Sequence, residues 1–169
     1  PMGPALQFAG RFRERVDLPI FHAARIADVA TARYAISEGL LDMVGMMRAH
    51  MADPHIVRKL EAGQEDRIRP CVGASYCINR LYLGLEALCL HNPATGREET
   101  IPHVVAPASG PAKRVVVVGG GPAGLESARV AAERGHQVVL LEAASELGGQ
   151  VVLAARATPR RQELIGITD

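Results

Sequence analysis

The sequence predicts an α/β fold, in which parallel strands alternate with helices, and two observations carry this prediction. Between residues 18 and 63, short apolar segments alternate with stretches of helical periodicity, as in βα repeats on a parallel sheet. Between residues 114 and 142, a valine run, a glycine-rich turn, a helical stretch and a second apolar run follow one another. That order is typical of a βαβ unit.

The composition is that of an ordinary globular protein. The 169 residues are 48% apolar, and the net charge of +1 comes from basic and acidic residues mixed along the chain. No basic stripe indicates nucleic acid or an anionic membrane as a partner, and few aromatic side chains could stack on bases. Without a membrane-length apolar run or a signal peptide, we expect a cytoplasmic protein. Because the chain starts at Pro1 and continues little beyond one βαβ unit, we expect a piece of a larger protein.

The first third of the chain predicts two strands among three helices. Asp53 followed by Pro54 is typical of an N-cap and a first helical residue, and Gly39 and Gly63 are typical helix stops. The expected elements are a helix over residues 6–16, a strand over 18–22, a helix over 28–38, a strand over 40–47 and a helix over 54–62.

Each of these two strands is expected to end in an arginine, Arg25 or Arg48. The carboxyl ends of parallel strands are where barrel enzymes bind phosphates, so the arginines are candidate phosphate ligands, and exposed salt bridges are the alternative. His22, Asp42 and His50 lie near the same ends. Such residues are more often packed or solvated than catalytic, and no catalytic residue is assigned.

All three cysteines, Cys71, Cys77 and Cys89, lie within 19 residues, with the spacing C-x5-C-x11-C. In a cytosolic protein this clustering favours a metal over a disulfide framework, and iron–sulfur clusters favour closely spaced thiolates. One ligand is missing, because Ala74 stands where a middle cysteine is expected. The open alternatives are a cluster completed by water, backbone or a side chain such as His91; a 3Fe-4S cluster; zinc bound by three cysteines and His91; a site that has lost its metal; and three structural cysteines.

Three glycines after the valine run form the pattern G-x-G-x-x-G: Gly119, Gly121 and Gly124. The first permits a tight turn, the second lets the backbone approach a pyrophosphate, and the third lets the helix pack on the strand. Pro122 is expected to begin that helix and Gly135 to end it. Glu142, 18 residues after Gly124, ends the second strand and can accept both hydroxyls of an adenosine ribose, which favours FAD, NAD or ADP over NADP.

These motifs together resemble a known family. The runs are LPIFHAARI, EGLLDMVGMMRAHMADPHIVRKL, IRPCVGASYC, CLHNPATGRE, RVVVVGGGPAGLE and VVLLEAASELGGQ. In this order they resemble the trimethylamine dehydrogenase and 2,4-dienoyl-CoA reductase family of old yellow enzyme-like NADH:flavin oxidoreductases. Within it, CVGASYCINR is most similar to N-methylproline demethylase-like proteins.

The resemblance implies a three-part organisation. Residues 1–65 are expected to be the last βα units of an FMN-binding (β/α)8 TIM barrel, and 66–112 a cysteine segment with a 4Fe-4S cluster and a linker. Residues 113–169 are expected to begin a Rossmann-like FAD/NAD(P)-binding domain.

The resemblance also implies which residues bind the cofactors. For the FMN phosphate they are Arg25, Met47 and Arg48. For the iron–sulfur cluster they are Cys71, Cys77 and Cys89, one short of four. For FAD or ADP they are Gly119, Gly121, Ala123, Gly124, Glu142 and Gln150.

The implied activity is that of a flavin-dependent oxidoreductase that oxidatively N-demethylates a small amine such as N-methylproline. The alternatives are an NAD(P)H-dependent 2,4-dienoyl-CoA or enoate reductase and a non-catalytic nucleotide-binding electron-transfer module. The partners expected are an amine or enoyl substrate and, as electron carrier, NAD(P)H or an electron-transfer flavoprotein. Homo-oligomerisation is left open.

Overall fold

The computed structural model describes residues 3–157 and 164–168, so the last part of the predicted nucleotide-binding segment, residues 158–163 and Asp169, lies outside the described residues. The chain divides into two compact units, one extending to Thr95 and the other beginning at Gly96. All three cysteines therefore lie in the first unit.

The first unit alternates short strands with helices. Its described elements are α1 (Leu6–Arg13), β1 (Phe21–His22), α2 (Val29–Ser37), β2 (Met43–Val44), α3 (Met47–Ala52), α4 (Ile56–Glu61), a 3₁₀ turn (Glu65–Arg67) and α5 (Tyr76–Tyr82). Strands β1 and β2 pair in parallel, with Phe21 opposite Met43. This confirms the α/β class predicted from the alternation of apolar runs.

A small apolar core holds this unit together. It consists of Leu6, Ile26, Ala32, Ala35 and Leu41. The alanines lie on one face of α2, where small side chains allow the helix to approach its neighbours closely. The helix begins as predicted after Asp28, whose Oδ1 accepts the Thr31 amide at 2.6 Å.

Two predicted boundaries in this unit are wrong. The second strand ends at Val44, and Arg48 lies in the first turn of α3, which begins at Met47. At Gly45 a Cβ would meet the Ala23 Cβ at 2.6 Å, so the close approach requires glycine. Helix α4 begins at Ile56 after the N-cap His55, and Asp53 does not cap it.

The second unit is built on a βαβ element. Strand β3 (Arg114–Val118), helix α6 (Pro122–Glu133), strand β4 (Gln137–Leu141) and helix α7 (Gln150–Arg156) follow in order. The strands are parallel, with Val116 opposite Val139. Pro122 begins the helix as predicted, and Gly135 follows its end at a φ of +87°.

Continuous apolar runs such as those of β3 and β4 are typical of strands buried on both faces, and the sequence predicts such burial here. For the described residues this prediction is wrong. Val116 and Val118 are 55% and 82% exposed, and Val139 and Leu141 are about as exposed as Val116. The reason is that α6 packs against one face of the two strands. No helix formed by the described residues is long and apolar enough to cross a membrane.

Candidate functional site

The glycine-rich turn lies between β3 and α6, and its three glycine positions differ in whether the fold requires glycine there. Gly119 has a φ of +101°, which an L side chain rarely adopts. A Cβ at Gly124 would lie 1.9 Å from the Gly119 carbonyl oxygen, so α6 and the turn meet backbone to backbone. Gly121 has a φ of −73°, and nothing within 4 Å opposes a Cβ there. The described fold therefore requires two of the glycines and leaves open space at the third.

Glu142 follows β4 and lies against this turn. Its Oε2 accepts the Gly120 amide at 2.6 Å, and its Oε1 accepts the Ala144 amide at 2.8 Å. The Ala144 and Gly120 amides together hold the pKa of this partly exposed carboxyl below its ordinary value. Glu142 is therefore an oriented anion, and each oxygen retains acceptor capacity for a further donor.

A second glycine turn packs on the first. The Gly148 amide donates to the Gly120 carbonyl at 2.7 Å, and a Cβ at Gly149 would lie 3.3 Å from the Gly121 Cα. Helix α7 begins immediately afterwards at Gln150. The structure thus brings Gly121, Glu142 and the start of α7 together at the carboxyl edge of one parallel sheet, where α/β folds bind nucleotides. Ala123 is the second residue of α6 beside them.

In the first unit, the predicted phosphate ligands follow the carboxyl ends of β1 and β2. Arg25 has a φ of +54°, which is uncommon for a residue other than glycine and occurs more often at functional sites. The His22 Nε2 atom is buried, and no described residue gives it a hydrogen-bond partner. Met47 begins α3 and is 77% exposed.

The three cysteines line one small cavity. Its wall also includes Arg48, Ala74 and His91, and all three thiols are free. Burial raises the pKa of the Cys71 thiol, and the neighbouring Cys89 and Cys77 add to this, although the Gly73 amide and the Arg48 cation act in the opposite direction. Among the described residues, no group of three or more His, Cys, Asp or Glu side chains could hold a single metal ion.

Comparison with known proteins finds a family model and several relatives that match the chain. Residues 114–165 match the model of the family "FAD dependent oxidoreductase". The whole chain is 61% identical over 166 residues to the "Probable N-methylproline demethylase" of Rhizobium meliloti, covering 98% of this chain and 24% of that protein. It is 59% identical over 169 residues to the "Multifunctional alkene reductase/demethylase OYE" of Caballeronia cordobensis, with coverage of 100% and 24%.

Among solved structures, the 6-hydroxypseudooxynicotine amine oxidase of Pseudomonas geniculata N1 superposes with a TM-score of 0.91 at 33% identity, over 99% of this chain and 25% of that one. The chain is similar over nearly its whole length to proteins of the trimethylamine dehydrogenase-like family. The resemblance predicted from the sequence motifs is thereby confirmed. The chain spans about a quarter of the length of the relatives that it matches.

A buried polar network fixes both cysteine-bearing segments to α3, and sequence reasoning missed it. Asn92, 3% exposed, donates from Nδ2 to the Met51 carbonyl at 3.1 Å, and Thr95 Oγ1 donates to the same oxygen at 2.6 Å. Asp53, also 3% exposed, accepts the Arg69 amide at 2.9 Å. These residues lie two to six positions from the nearest cysteine or at the end of α3, but burial of polar groups is not readable from a sequence.

Asp53 also accepts the His55 amide at 2.9 Å and the Lys59 ammonium. Burial raises the pKa of this carboxyl, but the Lys59 ammonium and the amides of Arg69 and His55 together lower it below the ordinary value. The sequence assigned Asp53 to capping α4. In the structure, Asp53 instead follows α3 and links it by hydrogen bonds to α4 and to the segment that precedes Cys71.

Of the polar residues near strand ends, Asp42 has a structural role. It forms a bidentate ion pair with Arg13 of α1, whose Nη2 and Nε donate to the carboxylate at 2.7 and 3.1 Å. It also accepts the Ile20 amide at 2.8 Å. The Arg13 side chain, followed by the Ile20 amide, lowers the pKa of Asp42 to about 2. His50 directs its Nδ1 to the Met46 carbonyl at 3.1 Å and is exposed.

Proposed function

We propose that this chain is part of a flavin-dependent oxidoreductase that oxidatively removes a methyl group from a small N-methylated amine. The observation that carries the proposal is the 61% identity, over nearly the whole chain, to a protein described as a probable N-methylproline demethylase. Because that identity includes both units, we infer that they contribute to one activity.

The first unit would supply the phosphate end of an FMN site, as the last βα units of a barrel. Arg25 follows β1, and Met47 and Arg48 begin α3 directly after β2, so a phosphate at this sheet edge could meet guanidinium groups and helix amides. The left-handed backbone at Arg25 and the buried His22 Nε2 are features that suit a site completed by a ligand or further chain.

The second unit, as the start of a Rossmann-like domain, would hold FAD or ADP. The open space at Gly121 is where backbone amides can approach a pyrophosphate, next to the first turn of α6 with Ala123 and Gly124. Glu142 would accept the ribose hydroxyls, and Gln150 at the start of α7 would lie on the same side. The absence of a competing basic residue in this set favours a ribose with a free 2′-hydroxyl.

The cysteine cavity suits an iron–sulfur cluster better than zinc. Three sulfurs on one tetrahedral zinc ion would lie about 3.8 Å apart, since each Zn–S bond is about 2.3 Å. The described side chains do not converge in that way, yet all three cysteines line one cavity. A cluster binds each thiolate through a different iron and therefore needs wider spacing. Arg48 would offset part of the cluster's negative charge.

The reaction that fits is the conversion of an N-methylamine and water to the demethylated amine and formaldehyde, with release of two electrons and two protons. A bound flavin would accept the electron pair, and a cluster would pass electrons singly to a carrier such as an electron-transfer flavoprotein. Arg48 would place the two cofactors near each other, because it lines the cysteine cavity and also lies in α3, the helix proposed to bind the FMN phosphate.

The proposal is tested by anaerobic titration of the intact protein with N-methylproline, following flavin absorbance and formaldehyde. Bleaching with one formaldehyde per flavin reduced is the expected result. A second candidate, reduction of an activated alkene by NAD(P)H, is favoured by the similarity to a protein described as both an alkene reductase and a demethylase. Bleaching by NADPH but not by the amine, with turnover of an enoyl thioester, would establish that candidate instead.

A flavin that neither reagent reduces would indicate a non-catalytic electron-transfer module. Iron and acid-labile sulfide analysis tests the cluster, and Cys77→Ala provides the comparison in which both should fall. One equivalent of zinc, without sulfide, would refute it.

A further inference from the structure

The cysteine cavity has three sulfur donors and a gap at Ala74, whose methyl group cannot bind iron. Three other side chains on the wall carry a possible uncharged donor besides the Met51 thioether: Ser75, Tyr76 and His91. Ser75 is exposed and directs its hydroxyl to the Gly73 carbonyl at 3.4 Å. The Tyr76 ring lies 5.6 Å from the Arg80 guanidinium and is 39% exposed. The Ser75 hydroxyl and the Tyr76 ring thus each have another partner.

We propose that His91 is the fourth protein ligand of the iron–sulfur cluster and binds iron through Nε2. The inference rests on the cluster in the proposed function. Its geometric basis is the ring's Nδ1, which lies 2.9 Å from the Pro70 carbonyl oxygen. A carbonyl only accepts, so Nδ1 carries a hydrogen, and a ring that binds metal in this orientation would do so through the lone pair of Nε2. Histidines that bind metals donate their other ring N–H to just such a group.

The position of His91 is fixed from both sides. Its ring is tied to Pro70, the residue before Cys71, and it follows Cys89 by two positions. The next residue, Asn92, is 3% exposed, donates to the Met51 carbonyl, and accepts the Ala94 amide at 3.0 Å. A ligand held by its own ring and by its neighbour's side chain loses little conformational entropy when it binds iron.

Imidazole in place of a thiolate changes the charge of the cluster. A neutral ring leaves the cluster one negative charge less than four thiolates would, and the Arg48 cation on the same wall acts in the same direction. Histidine ligation raises the potential in Rieske centres for this reason. We therefore expect His91 to raise the reduction potential of the cluster relative to a four-cysteine version.

The test is pulsed EPR of the intact protein. The protein is expressed with ¹⁵N-labelled histidine, purified anaerobically and poised in the redox state in which the cluster is paramagnetic. A strongly coupled ¹⁵N nucleus is expected in the wild type and should vanish in His91→Ala. His50→Ala is the matched control, because His50 also directs Nδ1 to a helix carbonyl, at 3.1 Å, but does not line the cavity. It should keep the coupling.

The double variant Ala74→Cys/His91→Ala keeps the inference testable if His91→Ala loses iron. It should retain a cluster without nitrogen coupling and with a lower potential. A wild-type cluster without strong ¹⁵N coupling, or a coupling that persists in His91→Ala, would overturn the assignment. Protein without iron and sulfide would overturn it too. In that case flavin content and bleaching by N-methylproline, measured on the same sample, still decide the proposed function separately.

Discussion

The substitution Gly121→Ala should impair nucleotide binding without impairing folding. The structure shows open space around a Cβ at this position and a φ of −73°, which alanine adopts readily. We expect the variant to fold normally and to lose most of its FAD or ADP, because the added methyl group occupies the space through which backbone amides reach the pyrophosphate.

The size of the folding effect follows from two opposing contributions. Gly121 is the N-cap of α6, where alanine is less favourable than glycine by about 1 kcal/mol. Replacing glycine also lowers the entropy of the unfolded chain, which stabilises the protein by about 0.4–1 kcal/mol. The net change in the free energy of unfolding should stay below about 1 kcal/mol. By contrast, Gly124→Ala forces a Cβ to within 1.9 Å of a backbone oxygen that has no room to yield. It should cost about 3 kcal/mol or more.

The assay is the ratio of adenine nucleotide to protein in the purified intact protein, with thermal unfolding measured on the same samples. FMN in the other site is an internal standard, since neither substitution is in the first unit. Gly110→Ala, where no atom lies within 4 Å of the Cβ, is the matched control and should change neither quantity. If Gly121→Ala retains its full nucleotide content at wild-type stability, the pyrophosphate does not pass this glycine and the reasoning is wrong.

Three further outcomes are expected. Asp53→Ala leaves two backbone amides and the Lys59 ammonium without their acceptor, so urea unfolding should show a loss of about 3 kcal/mol in the free energy of unfolding. Glu65→Ala, which removes an exposed ion pair, is the comparison and should cost less than about 1 kcal/mol. The pKa of Asp42 is lowered to about 2, so its stabilising effect is complete above the unfolded value of about 3.9 and is lost as the pH falls towards 2. In Asp42→Asn, the free energy of unfolding should therefore decline less steeply on acid titration than in the wild type. An unchanged profile would contradict the ion pair. Arg25→Gln should lower the FMN content at least about ten-fold while the nucleotide in the second unit remains, and equal loss of both would indicate misfolding.

Much of the second unit could be predicted from the sequence because its determinants are local. The turn needs glycine at 119 for its backbone angle, Pro122 suits a first helical position, and Glu142 follows directly from the end of β4. The same locality explains why the family could be recognised from the order of short motifs.

The first unit was predicted less well because its boundaries depend on contacts between distant residues. Apolar character continues from Leu40 to Met47, but β2 ends at Val44, Gly45 passes closely against Ala23, and Arg48 lies in a helix. Asp53 looks like a cap in the sequence and is taken by the Arg69 amide in the fold.

The sequence by itself determined the α/β class, the βαβ element and the family, since apolar periodicity, glycine angles and proline positions act within a few residues. Only the tertiary structure decided that three cysteines, Arg48 and His91 share one cavity, and that Asn92 and Asp53 hold its walls. Those arrangements arise from burial of polar groups that must find partners far away in the chain, and such partners are fixed only when the chain packs.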